Sequence, residues 1–275
     1  VSIAAAKLGA KIMKMETFEY LRTLAEIKPS RRNPYLFINL LEGGKHAKNH
    51  LAFQEYHIVP ETENIKEAIE ASIKIQHKLK GILHTDLNQV HIVMGDEGGY
   101  APALKRGNAE AFEFIKEATE LSGYVFGKDI MLALDVAASE LFSAGVYNLK
   151  KEGKQLSPAE MISWYKELLQ KYPLFSIEDG LDQNDWVGWQ KLTKEVGDKV
   201  QLVGDDLLVT NIKFLKRGIE EKSCNAILIK PNQIGTLTET IDAVKMAQEA
   251  GFGAIISNRS GETEDTTITH LAVGL

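Results

Sequence analysis

Short uncharged apolar runs alternate along the chain with longer stretches in which apolar residues recur every three or four positions. Most of the apolar runs stop at a polar or acidic residue. Residues 1 to about 27, rich in Ala with Ile3, Leu8, Ile12 and Leu21 spaced helically, predict helical structure. Residues 28–34 carry Pro29 and Pro34 and mark a candidate boundary. Residues 35–40 and 53–59 predict strands, with the glycine-containing loop 42–50 between them. With no long helix separating them, an antiparallel pair is open as an alternative to a strand-helix-strand unit. Regular alternation follows: a helix over 65–83, a strand at 91–94, a helix over 109–122 and a strand at 130–134 ending in Asp135. Ser157-Pro158-Ala159-Glu160 places a cap, a first-turn proline and a capping-box acid at a helix start. Beyond it the pattern predicts a strand ending at Glu178, a helix over 186–196, and a strand at 200–203 followed by Gly204-Asp205-Asp206. A short helix over 212–221, the strand 226–229 ending at Lys230, a helix over 237–250 and a last strand at 253–256 complete the chain.

About eight strands joined mostly through helices, in 275 residues, suit an α/β (β/α)8 barrel, whose active sites form at strand carboxyl ends. The competitor is an open doubly wound sheet. No Gly-x-Gly-x-x-Gly follows the first strand, and polar groups close nearly every strand rather than one switch point, so a barrel is favoured. The formal net charge of −6 argues against nucleic-acid or anionic-membrane partners, and no apolar run approaches the ~20 residues of a membrane span. A single cysteine, Cys224, excludes an internal disulfide and fits a reducing compartment. The amino end shows no secretory signal pattern and no Met, so the chain is expected to begin partway through a longer polypeptide.

The strand ends carry the chemistry. Asp135, Glu178 and Asp205 close three successive predicted strands, 43 and 27 residues apart, far enough for a crossover each time. Three carboxylates at one rim repel unless a cation lies between them, and an all-oxygen set suits Mg2+. Lys230 follows on the next strand, where an apolar run of Ala, Ile and Leu meets a polar turn. Burial and a neighbouring cation both disfavour the ammonium form, so its amine can take a proton from carbon. Abstraction next to a carboxylate builds a dianion, which a divalent ion stabilises. Glu97, set among glycines in Gly95-Asp96-Glu97-Gly98-Gly99, can protonate a leaving group. The last strand runs into Ser257-Asn258-Arg259-Ser260-Gly261, a composition suited to phosphate.

Residues 39–60, Gly95-Asp96-Glu97-Gly98-Gly99-Tyr100-Ala101-Pro102, Ser176-Ile177-Glu178-Asp179, Gly204-Asp205-Asp206-Leu207, Ile229-Lys230-Pro231-Asn232-Gln233-Ile234-Gly235-Thr236 and the stretch 257–265 closely resemble enolase (phosphopyruvate hydratase), in order and over nearly the whole chain. The resemblance implies an enolase-type (β/α)8 barrel with an antiparallel first strand pair. It also implies Mg2+-dependent, reversible dehydration of 2-phosphoglycerate to phosphoenolpyruvate, in a cytoplasmic homodimer of glycolysis and gluconeogenesis. By the same resemblance Lys230 is the base, Glu97 and Glu55 assist loss of the hydroxyl, and His46 lies on a mobile loop that closes on substrate. Gln54, Ser257, Asn258, Arg259 and Ser260 bind the phosphorylated carboxylic acid, and Asp135, Glu178 and Asp205 hold the metal.

Residues 1–32 are then expected to be the helical remnant of an amino-terminal domain, and 33–275 a catalytic barrel lacking its final helices. The sequence departs from the family at Asn258, where His is usual, at Lys45 and Lys48, where small residues are usual, and at Glu42, where Asn is usual. Asn258 and the missing ends support a second reading, a catalytically impaired relative that binds a phosphorylated ligand or a protein. A dehydratase of acid sugars on the same barrel is a third, which the phosphate-suited segment disfavours.

Overall fold

A computed structural model describes residues 1–28, 32–47, 49, 51–87 and 91–275. Contacts divide the chain into two compact units, one of residues 35–200 and one joining 1–34 to 201–275. Of the predicted boundary at 28–34, Pro29, Ser30 and Arg31 lie outside the described residues, as do Lys48 and His50 of the loop after the first strand.

The amino-terminal segment is helical as expected, in two pieces, α1 (Ser2–Met13) and α2 (Thr17–Ala25). Lys14 closes α1 in the left-handed conformation at φ 55°, and Glu16 with Glu19 makes a reciprocal capping box that starts α2. A restart signal inside an Ala-rich run outweighs its helix propensity.

In the unit of residues 35–200, β1 (Ile38–Glu42) runs antiparallel to β2 (Glu55–Pro60), with Glu42 opposite Glu55. After β2, Asn64 caps α3 (Ile65–Asp86), and α4 (Asn108–Leu121) follows a long connection. The strand expected at 91–94 does not form: Met94 makes one isolated bridge to Tyr100, and Val93 and Met94 are exposed. The backbone instead turns at Gly95–Gly99, where the Gly95 N–H donates to the Gly99 carbonyl at 2.8 Å. β3 (Ile130–Asp135) pairs antiparallel with β2, and Glu55 faces Asp135 in register.

A separate antiparallel sheet, absent from the sequence reading, comprises β4 (Phe142–Ser143), β5 (Val146–Leu149) and β6 (Lys154–Leu156). Ala144 and Gly145, both at positive φ, form its first two-residue turn. The Ser157–Glu160 capping box starts α5 (Pro158–Lys171) as expected. β7 (Leu174–Glu178) then lies parallel to β3, with Asp135 beside Glu178, and α6 (Trp186–Val196) follows. Tyr56, Ile58, Ile75, Leu79, Phe112 and Trp189 are fully buried in this unit.

In the other unit, β8 (Gln201–Gly204), β9 (Ala226–Ile229) and β10 (Gly253–Ile256) are parallel neighbours. They are connected through α7 (Ile212–Glu221), a single turn α8 (Pro231–Ile234) and α9 (Leu237–Glu249), and α10 (Thr267–Gly274) follows β10. All four residues of β9 are buried, as its uncharged composition predicts. Ala6, Leu21, Leu237 and Leu271 form one core cluster, which ties the amino-terminal helices to this half of the chain. Cys224 is buried. Among the described residues no helix is long and apolar enough to cross a membrane.

Candidate functional site

In the first unit, register alone places four acids along one rim. β2 begins where β1 ends, so Glu42 lies beside Glu55, Glu55 beside Asp135 and Asp135 beside Glu178. Asp135 accepts from Gln54 Nε2 at 2.8 Å through one oxygen and from the Ala137 N–H at 2.9 Å through the other. Two strand-end carboxylates side by side are oxygen ligands of the kind a hard divalent cation takes, and by register Asp135 and Glu178 are the candidates in this unit.

Glu55 has an imidazole at each oxygen, His46 Nδ1 at 3.3 Å and His57 Nε2 at 2.9 Å. Burial by itself raises the carboxyl pKa, but the two imidazoles outweigh it and hold the group at about 2. The hydrogen bond to Glu55 raises His46 in turn. At His57 burial opposes the charge, and Glu55 still raises the ring above its ordinary value. Glu97 Oε1 lies 3.8 Å from His46 Nδ1. Ligand atoms of His46, Glu55 and Glu97 fall within 4.8 Å of one another. The three groups converge closely enough to pass a proton between them or to face one cation.

Glu97 is placed by Glu42, a fully buried carboxylate. Glu42 Oε1 accepts from the Gly99 N–H at 2.5 Å and from Asn39 Nδ2 at 3.1 Å, and Oε2 accepts from the Glu97 N–H at 3.2 Å. Burial raises the Glu42 pKa, against the opposing pull of the Gly99 and Glu97 amides. The glycines make the approach possible: a Cβ on Gly95 would fall 2.0 Å from Glu42 Oε2. A second device holds the strand entry. Buried Asn108 accepts through Oδ1 from the Tyr56 hydroxyl at 2.6 Å and the Ala52 N–H at 3.2 Å. Gln54 lines a cavity of about 700 Å3 that also takes in Lys45, Asn49 and Glu140. Lys45 pairs with Glu140 at 2.6 Å.

In the second unit, Asp205 follows β8 and Lys230 follows β9. Lys230 Nζ lies 2.5 Å from Asp205 Oδ2, with the lysine side chain 16% exposed. Gln233 Nε2 donates to Asp205 Oδ1 at 3.0 Å. The Thr210 hydroxyl accepts from the Lys230 N–H at 2.9 Å, fixing the backbone where the strand ends. The Ser257 N–H donates to the Ile229 carbonyl at 3.0 Å, so the segment after β10 starts next to Lys230. Ser257, Arg259 and Ser260 line a cavity of about 410 Å3 with Asn232, whose Oδ1 accepts from Arg259 Nη1 at 3.3 Å. Asn258 donates to the Arg259 carbonyl at 3.3 Å and is not among the lining residues. Lys7 and Asp265 pair at 2.5 Å, and Asp265 also lines this cavity.

The structure thus gathers His46, Glu55 and Glu97, sets Asp135 beside Glu178 with Gln54 attached, pairs Asp205 with Lys230, and groups Ser257, Arg259 and Ser260. Glu42, His57, Asn108, Thr210, Asn232 and Gln233 are positional partners that sequence reasoning did not single out for these tasks. His57 alone had a readable signal, standing two residues from Glu55 and so on the same strand face.

Each unit has helix-linked parallel strands that end in acids or a lysine, and the chain is a mixed α/β one. Residues 32–275 match the family described as the enolase C-terminal TIM barrel domain, and the chain belongs to that family.

Proposed function

We propose that this chain catalyses the reversible dehydration of 2-phosphoglycerate to phosphoenolpyruvate, a phosphopyruvate hydratase of glycolysis and gluconeogenesis working in the cytoplasm as a homodimer. Family membership supports the superfamily chemistry. The observation that carries the finer reading is the lysine at the end of a fully buried strand, held by a strand-end carboxylate and largely shielded from water. Burial disfavours the ammonium form while the Asp205 carboxylate favours it, so in this reading the amine takes a proton from carbon once a cation has drawn Asp205 away from it.

In this reading Lys230 Nζ takes the proton at C2 of the substrate. Glu97 delivers a proton to the departing C3 hydroxyl. Glu55, kept ionised by its two imidazoles, serves as a fixed acceptor that orients His46. Gln54, Ser257, Asn258, Arg259 and Ser260 bind substrate, with the Arg259 guanidinium and the Ser260 hydroxyl on the phosphate. Asp135, Glu178 and Asp205 would hold Mg2+, which neutralises charge building on the substrate carboxylate. Residues 1–32 are read as part of an amino-terminal domain and 33–275 as the barrel domain.

The test is phosphoenolpyruvate formation from 2-phosphoglycerate, with and without Mg2+, by this chain and by Lys230→Ala. Mg2+-dependent product from the parent and none from the variant is expected. Tight Mg2+-dependent binding of 2-phosphoglycerate without product would instead favour a non-catalytic relative, for which Asn258 is the motivating departure.

A further inference from the structure

A carboxylate held through one oxygen still swings about its last torsion, because that torsion is broad and soft. Glu55 has an imidazole at each oxygen, His57 in a hydrogen bond at 2.9 Å and His46 at the longer ion-pair distance of 3.3 Å. His46 approaches one oxygen from the loop after β1, and His57 approaches the other from β2 itself. Alternation along the strand brings Glu55 and His57 to one face. The neighbours of His57 leave space for the ring: it stands opposite Ala133 on β3 and Asn39 on β1. Phe37 meets it edge-on, with centroids 6.3 Å apart and planes at 73°, and Phe175 packs behind Phe37 at 5.9 Å. The imidazole is packed against Phe37, with 13% of the side chain exposed. The charged and titratable groups whose fields reach it are Glu55, Asp135 and Glu97, while Asn39, Ala133 and Phe37 are neutral.

We propose that His57 is a positioning residue: its Nε2 grips Glu55 Oε2, so that Oε1 remains on His46 where the Glu97 carboxylate also converges. The clamp is a property of the fold, and its consequence for turnover rests on the function proposed above. His57 acts through Glu55, and Glu55 through His46.

The test compares His57→Gln, whose amide can still donate to Glu55, with His57→Met and His57→Leu, which cannot. Long-range 15N–1H NMR of the His46 ring, in the full chain at one fixed pH without added metal, reads the clamp whether or not the protein turns over 2-phosphoglycerate. Both apolar variants are expected to move the His46 ring nitrogens away from their parent shifts, while His57→Gln stays close to them. In the phosphoenolpyruvate assay kcat should fall on the order of 10- to 100-fold in the apolar variants, as misplacement by about an ångström does, with KM held within about twofold and kcat regained in His57→Gln. Parent-like His46 signals in the apolar variant that folds overturn the clamp, and so does a Gln variant that behaves like the apolar ones. An inactive parent whose His46 signals respond as described overturns the proposed reaction and leaves the clamp standing.

Discussion

Replacing Glu42 by Gln tests how the loop bearing Glu97 is held. The side chain keeps its shape and its burial, and one carboxylate oxygen becomes an amide nitrogen. Three donors now converge on Glu42: the Gly99 and Glu97 N–H groups and the Asn39 amide. A glutamine accepts with one oxygen only, so at least one backbone N–H faces another donor. Leaving one buried donor without its acceptor costs about 1–3 kcal/mol, and at about 1.4 kcal/mol per factor of ten the midpoint is roughly a 30-fold change in an opening equilibrium. Amide hydrogen exchange measured residue by residue is the assay. The Glu97 and Gly99 amides should exchange on the order of 10- to 100-fold faster in Glu42→Gln, with the buried amides of β3 and β9 unchanged. Burial raises the Glu42 pKa, which supplies the refuting case. A Glu42 that is already neutral at the assay pH is mimicked by glutamine. Unchanged exchange at Glu97 and Gly99 would therefore show that an ionised Glu42 does not fix the loop.

Asn108→Ala removes the acceptor shared by the Tyr56 hydroxyl and the Ala52 N–H, both in the lead-in to or along β2. A loss of about 2 kcal/mol or more in urea unfolding is expected, and a loss under about 0.5 kcal/mol would contradict that role. The Glu55 cluster sets a pH window for stability. A carboxyl lowered from 4.5 to about 2 contributes fully above 4.5, and its contribution disappears as pH falls through about 2. Raised imidazoles contribute fully below 6.5 and lose their contribution as pH rises through their folded values. The Tm difference between parent and Glu55→Gln should therefore be greatest between pH 4.5 and 6.5 and shrink on both sides. A difference independent of pH would contradict it.

The parts of the fold that were legible are those where local chemistry and tertiary burial agree. The run 226–229 has no charge and lies buried on both faces, and Ser157–Glu160 carries its own start signal. Asp135 and Glu178 were readable because a strand stops where its apolar pattern stops. Glu42 was not, because its task depends on amides 55 and 57 residues further along the chain. Residues 91–94 looked like a strand from their apolar run, yet the turn at Gly95–Gly99 folds back towards Glu42 and leaves only one bridge. The strands of the sheet β4 to β6 are too short to carry an alternating pattern. Its Ala144-Gly145 turn was the available clue. The break between α1 and α2 was written in Glu16 and Glu19, masked by the helix-forming residues around them.

The central claim is that the Lys230 amine takes a proton from C2 of 2-phosphoglycerate, and hydrogen exchange at that carbon in D2O, followed by 1H NMR, tests it most directly. With Mg2+ present, the C2 proton signal should decay in the presence of the parent chain and persist with Lys230→Ala, in samples whose folding is matched by circular dichroism. Decay that continues undiminished in Lys230→Ala would contradict the account.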